Sequence, residues 1–155
     1  MRKEEKMLLD CDFDNEAKIV HVDTRKIISG KNEYSDIDII LDREVSHTLS
    51  LYALKYFESI NKKTINSYEI ASTCGDKIYT SLLLKKNNIA NLKTFIAFSA
   101  QSARDAITEI GFPCVIKPPV GSWGRMIAKI NDMDAAEAIL EHKSFIPGNN
   151  HSIFY

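Results

Sequence analysis

The stretch IKPPVGSWGR, residues 116–125, has the residue types of an anion-binding loop. Its two glycines would let backbone N–H groups approach phosphate oxygens, and Ser122 would add a hydroxyl donor. Lys117 and Arg125 supply positive charge that an anion would neutralise. A plain β-hairpin with turn-forming glycines explains the spacing equally well. Trp123, however, is costly at an exposed loop tip unless it covers a ligand.

A second candidate for anion binding, Lys77, follows Asp76 at the start of a helical pattern. A lysine there opposes the helix macrodipole at a cost of about 0.3–1 kcal/mol, so its position favours an anionic partner. In the alternative interpretation, Asp76 caps the helix and Lys77 is solvated. Neither Lys77 nor Lys117 belongs to a GxxxxGK[ST] phosphate loop, because that motif is not in the sequence.

Strand and helix patterns alternate before Lys77. Two β-branched runs, residues 19–22 and 37–41, predict strands, and the second has the composition of a buried one. Apolar residues at helical spacing over 49–60 predict an amphipathic helix directly after the second strand. A short extended piece at 64–66 follows. Composition then changes, and we place a domain boundary near residues 68–75, giving domains of 1–70 and 71–155.

In the second domain, the residue pattern again predicts helices and strands in alternation. Ser99 is a natural N-cap and Gly111 a natural end for one helix, and Asn131 or Asp132 would cap the last one. The last two internal strands are consistent with an antiparallel pair around the glycine-containing loop. Helices are predicted over 78–83, 103–110 and 133–140, and strands over 94–98, 114–116 and 127–130.

Composition excludes several classes of protein. Among 155 residues, 20 basic and 21 acidic side chains give a net charge of -1, without the basic excess that nucleic-acid binding requires. No apolar run approaches the roughly 20 residues of a membrane span, and the first residues lack a signal-peptide core. Three cysteines without a CxxC pair suit a reduced compartment, and the histidines show no metal-ligand spacing. We therefore expect a cytoplasmic protein without nucleic-acid or membrane partners.

Both ends of the sequence predict missing structure. Residues 152–155 form an apolar, strand-like run without a turn after it, and residues 1–9 predict a helix without a strand before it. We expect a chain truncated at both ends.

Three segments resemble the ATP-grasp ligases in order and spacing: CGDK at 74–77, GFPCVIKP at 111–118 and GSWGR at 121–125. The amino-acid sequence of the loop is most similar to that of the LysX group, whereas the related RimK ligases usually carry a glutamine-type loop. The resemblance implies an α/β fold, with a pre-ATP-grasp parallel-sheet domain at 1–70 whose first strand is missing. A small α+β ATP-grasp subdomain at 71–155 follows, and the C-terminal ATP-grasp subdomain is absent.

The resemblance also implies a reaction. Such ligases use ATP and Mg²⁺ to phosphorylate a carboxylate, and an amine then attacks the acyl phosphate to form a C–N bond. In the LysX group the carboxylate is the C-terminal glutamate of the acidic carrier LysW, the amine belongs to the small amino acid 2-aminoadipate, and the pathway is lysine biosynthesis. A RimK-like or ArgX-type glutamate ligase, and a non-catalytic nucleotide-binding module, stay open as alternatives, as does a homo-oligomer.

Site residues follow from the same resemblance. Lys77 and Lys117 would contact the ATP phosphates, and a flexible loop would fold over them, with Arg125 also catalytic. The magnesium ligands are expected beyond the end of the chain, so the sequence nominates no metal ligand, and the chain alone is expected to be inactive. The expected loop residues are Gly121, Ser122, Trp123, Gly124, Arg125, Met126 and Ile127.

Overall fold

A computed structural model of the chain describes residues 3–11, 17–31, 33–121, 124–146 and 153–155. Contacts divide the chain into two compact units, residues 1–71 and 72–155. Within those described ranges, no helix is both long and apolar enough to cross a lipid bilayer.

The first unit is built on a two-stranded parallel sheet. Strand β1 (Ile39–Leu41) pairs with β2 (Lys63–Ile65), and Ile40 lies opposite Thr64. Parallel strands need a crossover between them, and here that crossover is α2 (His47–Ser59), which Ser46 caps. This order confirms the α/β class that the sequence predicted. The unit also holds α1 (Lys3–Leu9), a 3₁₀ turn (Thr24–Lys26) and the start of α3 (Tyr68–Gly75).

Helix α2 carries the core of this unit. Ser50, Leu54 and Phe57 are buried at helical spacing, and Leu54 is only 1% exposed. The Tyr34 ring meets Phe57 edge-on, with 5.3 Å between the ring centroids. Fully burying one such apolar side chain contributes about 1.5–3 kcal/mol, so these few side chains stabilise the helix on the sheet.

Two expectations for the first unit were wrong. Residues 19–22 form no strand, and the chain instead enters the 3₁₀ turn, which Asp23 caps. Residues 37–41 contain β1, but the strand is not buried, because Ile39 and Leu41 are each 53% exposed within this chain. Apolar composition predicts strand content, whereas pairing and burial depend on distant partners.

The second unit is an α+β arrangement around an antiparallel pair. Strand β3 (Cys114–Ile116) pairs with β4 (Ala128–Ile130), and Val115 lies opposite Lys129. Both strands and the antiparallel pairing were predicted. The helices are α4 (Lys77–Lys86), α5 (Ala100–Ile110) and α6 (Met133–Ser144).

Helices α5 and α6 form one side of the core of the second unit. Ser99 caps α5 by accepting a hydrogen bond from the Ser102 N–H, and Gly111 ends the helix at a φ of 83°, as the sequence predicted. Of the two candidates for the cap of α6, Asn131 and Asp132, the structure uses Asp132. The Arg104 guanidinium donates two hydrogen bonds, of 2.6 and 2.8 Å, to the Glu137 carboxylate and thereby links the two helices. The side chains of the core include Ala103, Ile107, Ile116, Ile130, Ala136 and Leu140.

The strand predicted at 94–98 is reduced to one bridge. Ala97 pairs antiparallel with Phe154, and the other residues of that run have no ladder partner among the described residues. A strand forms only where a neighbour supplies hydrogen bonds, so here the apolar pattern overstated the strand.

Candidate functional site

Lys77 lies at the N-terminus of α4, where Asp76 caps the helix. The Asp76 carboxylate accepts hydrogen bonds from the backbone N–H groups of Ile78 at 2.8 Å and Tyr79 at 3.1 Å. Asp76 also bridges antiparallel to Val120. The capping half of the alternative interpretation is therefore confirmed. The start of α4 is fixed to the loop that follows β3.

The ammonium of Lys77 contacts two backbone carbonyls of the loop. Its Nζ donates to the carbonyl of Gly121 at 2.9 Å and lies 3.4 Å from the carbonyl of Pro119. The backbone N–H of Lys77 donates to the same Pro119 carbonyl at 2.9 Å. A lysine and a glycine that are 44 positions apart thus meet.

Lys117 continues strand β3 into the same loop. Its backbone N–H donates to the Tyr155 carbonyl at 2.7 Å, and its Nζ lies 5.8 Å from the centroid of the Tyr155 ring. The Tyr155 hydroxyl forms a short hydrogen bond with the Ser81 hydroxyl on α4. Tyr155 therefore contacts both elements that carry the two lysines.

The two lysines are close enough to affect each other electrostatically. Partial burial lowers the pKa of Lys77, and the positive charge of Lys117 lowers it further, while the Asp76 carboxylate opposes the shift. Like charges that converge in this way favour an anionic guest, since an anion would stabilise both ammonium groups. Phosphate groups combine that charge with several acceptor oxygens.

The remaining loop residues fall into three groups. Ser122 and Trp123 lie outside the described residues. Gly121 and Gly124 adopt positive φ angles of 150° and 67°, which a side chain would strain. Arg125, Met126 and Ile127 are all exposed. These three residues immediately precede β4.

Sequence reasoning identified both lysines but missed what holds them. Pro119 binds Lys77 through a backbone carbonyl, which any residue would supply, so residue type carried no signal. Ser81 and Tyr155 lie far apart in sequence and share no motif. Over the described part of the chain, no group of three or more His, Cys, Asp or Glu side chains is assembled that could hold a metal ion.

Comparisons with known proteins match both halves of the chain. Residues 1–73 match the LysX pre-ATP-grasp domain, and residues 74–153 match the RimK-like ATP-grasp domain. The alpha-aminoadipate–LysW ligase LysX of Sulfolobus acidocaldarius is 36% identical over 99% of this chain and 58% of its own length. The glutamate–LysW ligase ArgX of Sulfurisphaera tokodaii is 34% identical over 97% of this chain and 53% of its own.

Solved structures share the fold. The crystal structure of a RimK-domain ATP-grasp protein from Sphaerobacter thermophilus superposes with a TM-score of 0.83 at 25% identity, over 99% of this chain and 59% of its own. A second solved structure is the biotin carboxylase domain of a Hydrogenobacter thermophilus 2-oxoglutarate carboxylase, determined with MgADP and bicarbonate. It superposes with a TM-score of 0.63 at 17% identity, over 76% of this chain and 27% of its own. The chain spans a little over half the length of the curated relatives given above.

Proposed function

The chain belongs to the RimK-like ATP-grasp family, and from that premise we propose that it supplies the phosphate-binding part of an ATP-dependent carboxylate–amine ligase. Lys77 and Lys117 bind the phosphates of ATP. The loop from Gly121 to Ile127 covers them, and Arg125 adds positive charge when the loop closes.

One observation carries this proposal. The Lys77 ammonium is held 2.9 Å from the Gly121 carbonyl, in the loop that begins at Lys117. Two cations and a glycine-containing turn thereby converge from distant parts of the sequence, and the charge of Lys117 already lowers the pKa of Lys77. Phosphoryl transfer depends chiefly on positioning and charge neutralisation, which lysines and backbone amides provide.

In the whole ligase, we propose, the terminal phosphate of ATP is transferred to a carboxylate, and an amine displaces it to form an amide. The relatives' names support 2-aminoadipate as the amine donor and a LysW carrier as partner. An ArgX relative of similar identity keeps glutamate open as the donor. Magnesium would neutralise phosphate charge in such a reaction. The described residues assemble no group of three or more His, Cys, Asp or Glu side chains that could hold this metal.

Calorimetric titration tests the nucleotide proposal. We expect the chain to bind Mg-ATP more tightly than Mg-ADP, and AMP least, because the lysines contact phosphates. Lys117→Ala should remove most of this affinity, whereas Lys86→Ala, an exposed lysine on the same helix as Lys77, should leave it unchanged. Absence of Mg-ATP binding, or equal binding by Lys117→Ala, would overturn the proposal.

A further inference from the structure

The side chain of Tyr155 faces away from the core of the second unit. Its neighbour Phe154 is 6% exposed and belongs to the core that α5 and α6 cover. Successive side chains of an extended segment point to opposite faces, so Tyr155 points to the side that those two helices do not cover. It is nevertheless half-buried, because other residues of the same unit contact it.

The Tyr155 side chain reaches helix α4. Its hydroxyl is hydrogen-bonded to the Ser81 hydroxyl, which lies 74 positions away in the sequence. Ser81 stands at the i, i+4 position from Lys77 on that helix, and residues at this spacing share one face of a helix. The hydrogen bond therefore holds the face of α4 from which the Lys77 side chain extends.

Tyr155 is also attached to the end of β3. Its backbone carbonyl accepts a 2.7 Å hydrogen bond from the Lys117 N–H, and the centroid of its ring lies 5.8 Å from Lys117 Nζ. The face of an aromatic ring attracts an ammonium group within about 6 Å. Tyr155 thus contacts one lysine of the site directly and, through Ser81, the helix that carries the other lysine.

Two attachments, about one helical turn apart, hold α4. At the start of the helix the Lys77 N–H donates to the Pro119 carbonyl at 2.9 Å, and one turn later Ser81 meets Tyr155. The first attachment alone would leave the helix free to swing about Lys77, whereas the second fixes its direction. This direction matters for the site, because the two lysines carry like charges and their repulsion favours a wider separation.

We propose that Tyr155 and Ser81 are positioning residues of the phosphate site, and that the hydrogen bond between them sets the separation of the Lys77 and Lys117 ammonium groups. Neither hydroxyl needs to touch the nucleotide. Without the bond, α4 would turn about its contact with Pro119 and the two cations would move apart. The role of the pair at the phosphate site rests on the proposed function, whereas the separation of the cations is measurable in the free protein.

NMR titration of the lysine side chains, on the nucleotide-free protein, tests the separation. The charge of Lys117 lowers the pKa of Lys77, so this pKa reports how closely the two ammonium groups approach; the Lys77 signal is the one that Lys77→Arg removes. Ser81→Ala and Tyr155→Phe each delete one hydroxyl of the pair, and each should shift the pKa of Lys77 upward, toward its usual range. Tyr79→Phe, which deletes an exposed phenol hydroxyl from the same helix, is the matched control and should leave the pKa of Lys77 unchanged.

A second set of variants separates the spacing of the cations from a general loosening of the unit. Burial also lowers the pKa of Lys77, and a loosened helix would relieve that burial. Lys117→Met removes the charge and keeps an aliphatic side chain. In that background, Ser81→Ala should shift the pKa of Lys77 much less than it does in the wild type. An unchanged pKa of Lys77 in Ser81→Ala and Tyr155→Phe, or an equal upward shift with and without the Lys117 charge, would overturn the proposal.

Calorimetry with Mg-ATP measures what the hydrogen bond contributes to ligand binding. Ser81→Ala and Tyr155→Phe should each weaken binding by roughly 2- to 12-fold, the equivalent of one neutral hydrogen bond, because the nucleotide must draw the two cations together again. The double variant should lose no more than either single variant, since only one bond is broken. Wild-type affinity in both single variants would overturn the positioning role. A wild-type protein that binds no Mg-ATP would refute the proposed function instead, and the nucleotide-free titration would still decide whether the hydroxyl pair sets the separation of the cations.

Discussion

Lys77→Ala separates two tasks that the structure gives to one ammonium group. In the free protein, Lys77 Nζ donates to the Gly121 carbonyl and approaches that of Pro119. In the proposed complex, it also contacts phosphate. The substitution should therefore weaken Mg-ATP binding and loosen the backbone around Gly121.

The loss of Mg-ATP affinity in Lys77→Ala depends on the contacts that Lys77 must break in order to bind phosphate. A charged hydrogen bond contributes about 1.5–3 kcal/mol, which corresponds to roughly 10- to 160-fold in Kd. Lys77 must exchange existing carbonyl contacts for phosphate, so we place its loss near the lower limit. Lys117 instead lies over the Tyr155 ring at 5.8 Å, a contact of about 0.5–1 kcal/mol. Lys117→Ala should therefore cost more affinity than Lys77→Ala.

Two measurements on the same variants would check this ranking. Calorimetry gives the Kd for Mg-ATP, with Lys86→Ala as the matched control on α4. Amide hydrogen exchange without nucleotide reports on Val120 and Gly121, which should exchange faster in Lys77→Ala only. A circular dichroism melt shows whether each variant is folded.

Two results would contradict this ranking. If Lys77→Ala costs more affinity than Lys117→Ala, the carbonyl contacts do not compete with phosphate. If nucleotide-free exchange near Gly121 is unchanged, Lys77 does not hold the loop, and the 2.9 Å contact has no energetic role.

Three other predictions concern titration and packing. The pKa of Lys77 is lowered in the free protein, and a bound anion would raise it. The affinity for Mg-ATP should therefore be highest below the pKa of Lys77 in the free protein and should fall as the pH rises through that pKa. In Lys77→Ala this decrease should be missing from the calorimetric pH profile. Hydrogen bonds from the Tyr68 N–H and the Thr64 hydroxyl lower the pKa of Glu58 from 4.5. The ionised carboxylate therefore stabilises the folded protein at pH values above the pKa that Glu58 has in the unfolded chain. This contribution is lost as the pH falls through the pKa of Glu58 in the folded protein. The melting temperatures of the protein and Glu58→Gln should converge in acid. Ile130→Ala, at a fully buried position, should cost about 2–5 kcal/mol in urea unfolding.

Local chemistry explains which parts of the fold the sequence predicted. Ser99, Gly111 and Asp132 were identified as helix ends, because a cap depends on residues within one turn of it. The pair β3 and β4 was identified because its connecting loop contains turn residues. These features need no knowledge of distant partners.

Nonlocal pairing explains the failures. Residues 19–22 have strand composition but no ladder partner among the described residues, and only Ala97 of the 94–98 run is bridged. The exposed faces of Ile39 and Leu41 show the same limit, since composition cannot report what a strand packs against. In each case the local pattern was apolar, and the deciding contact lay elsewhere.

The candidate site could be predicted from the sequence only in part. Lys77 and Lys117 were singled out from residue type and spacing, whereas the contact that joins Lys77 to the loop is a backbone carbonyl and leaves no sequence signal. Lys77 at a helix start suggested an anionic partner. The structure supplies partial negative charge from the carbonyls of Gly121 and Pro119, together with the Asp76 cap.

The carbonyls that Lys77 contacts also act on its charge. Their dipoles oppose the macrodipole penalty and part of the repulsion from Lys117. The ammonium is then already positioned when phosphate arrives, and less side-chain entropy is lost on binding. The same contacts must be exchanged for phosphate oxygens, which limits the net gain. We therefore expect Lys77 to contribute more to positioning the loop than to affinity, and Lys117 to contribute the larger share of the proposed phosphate binding.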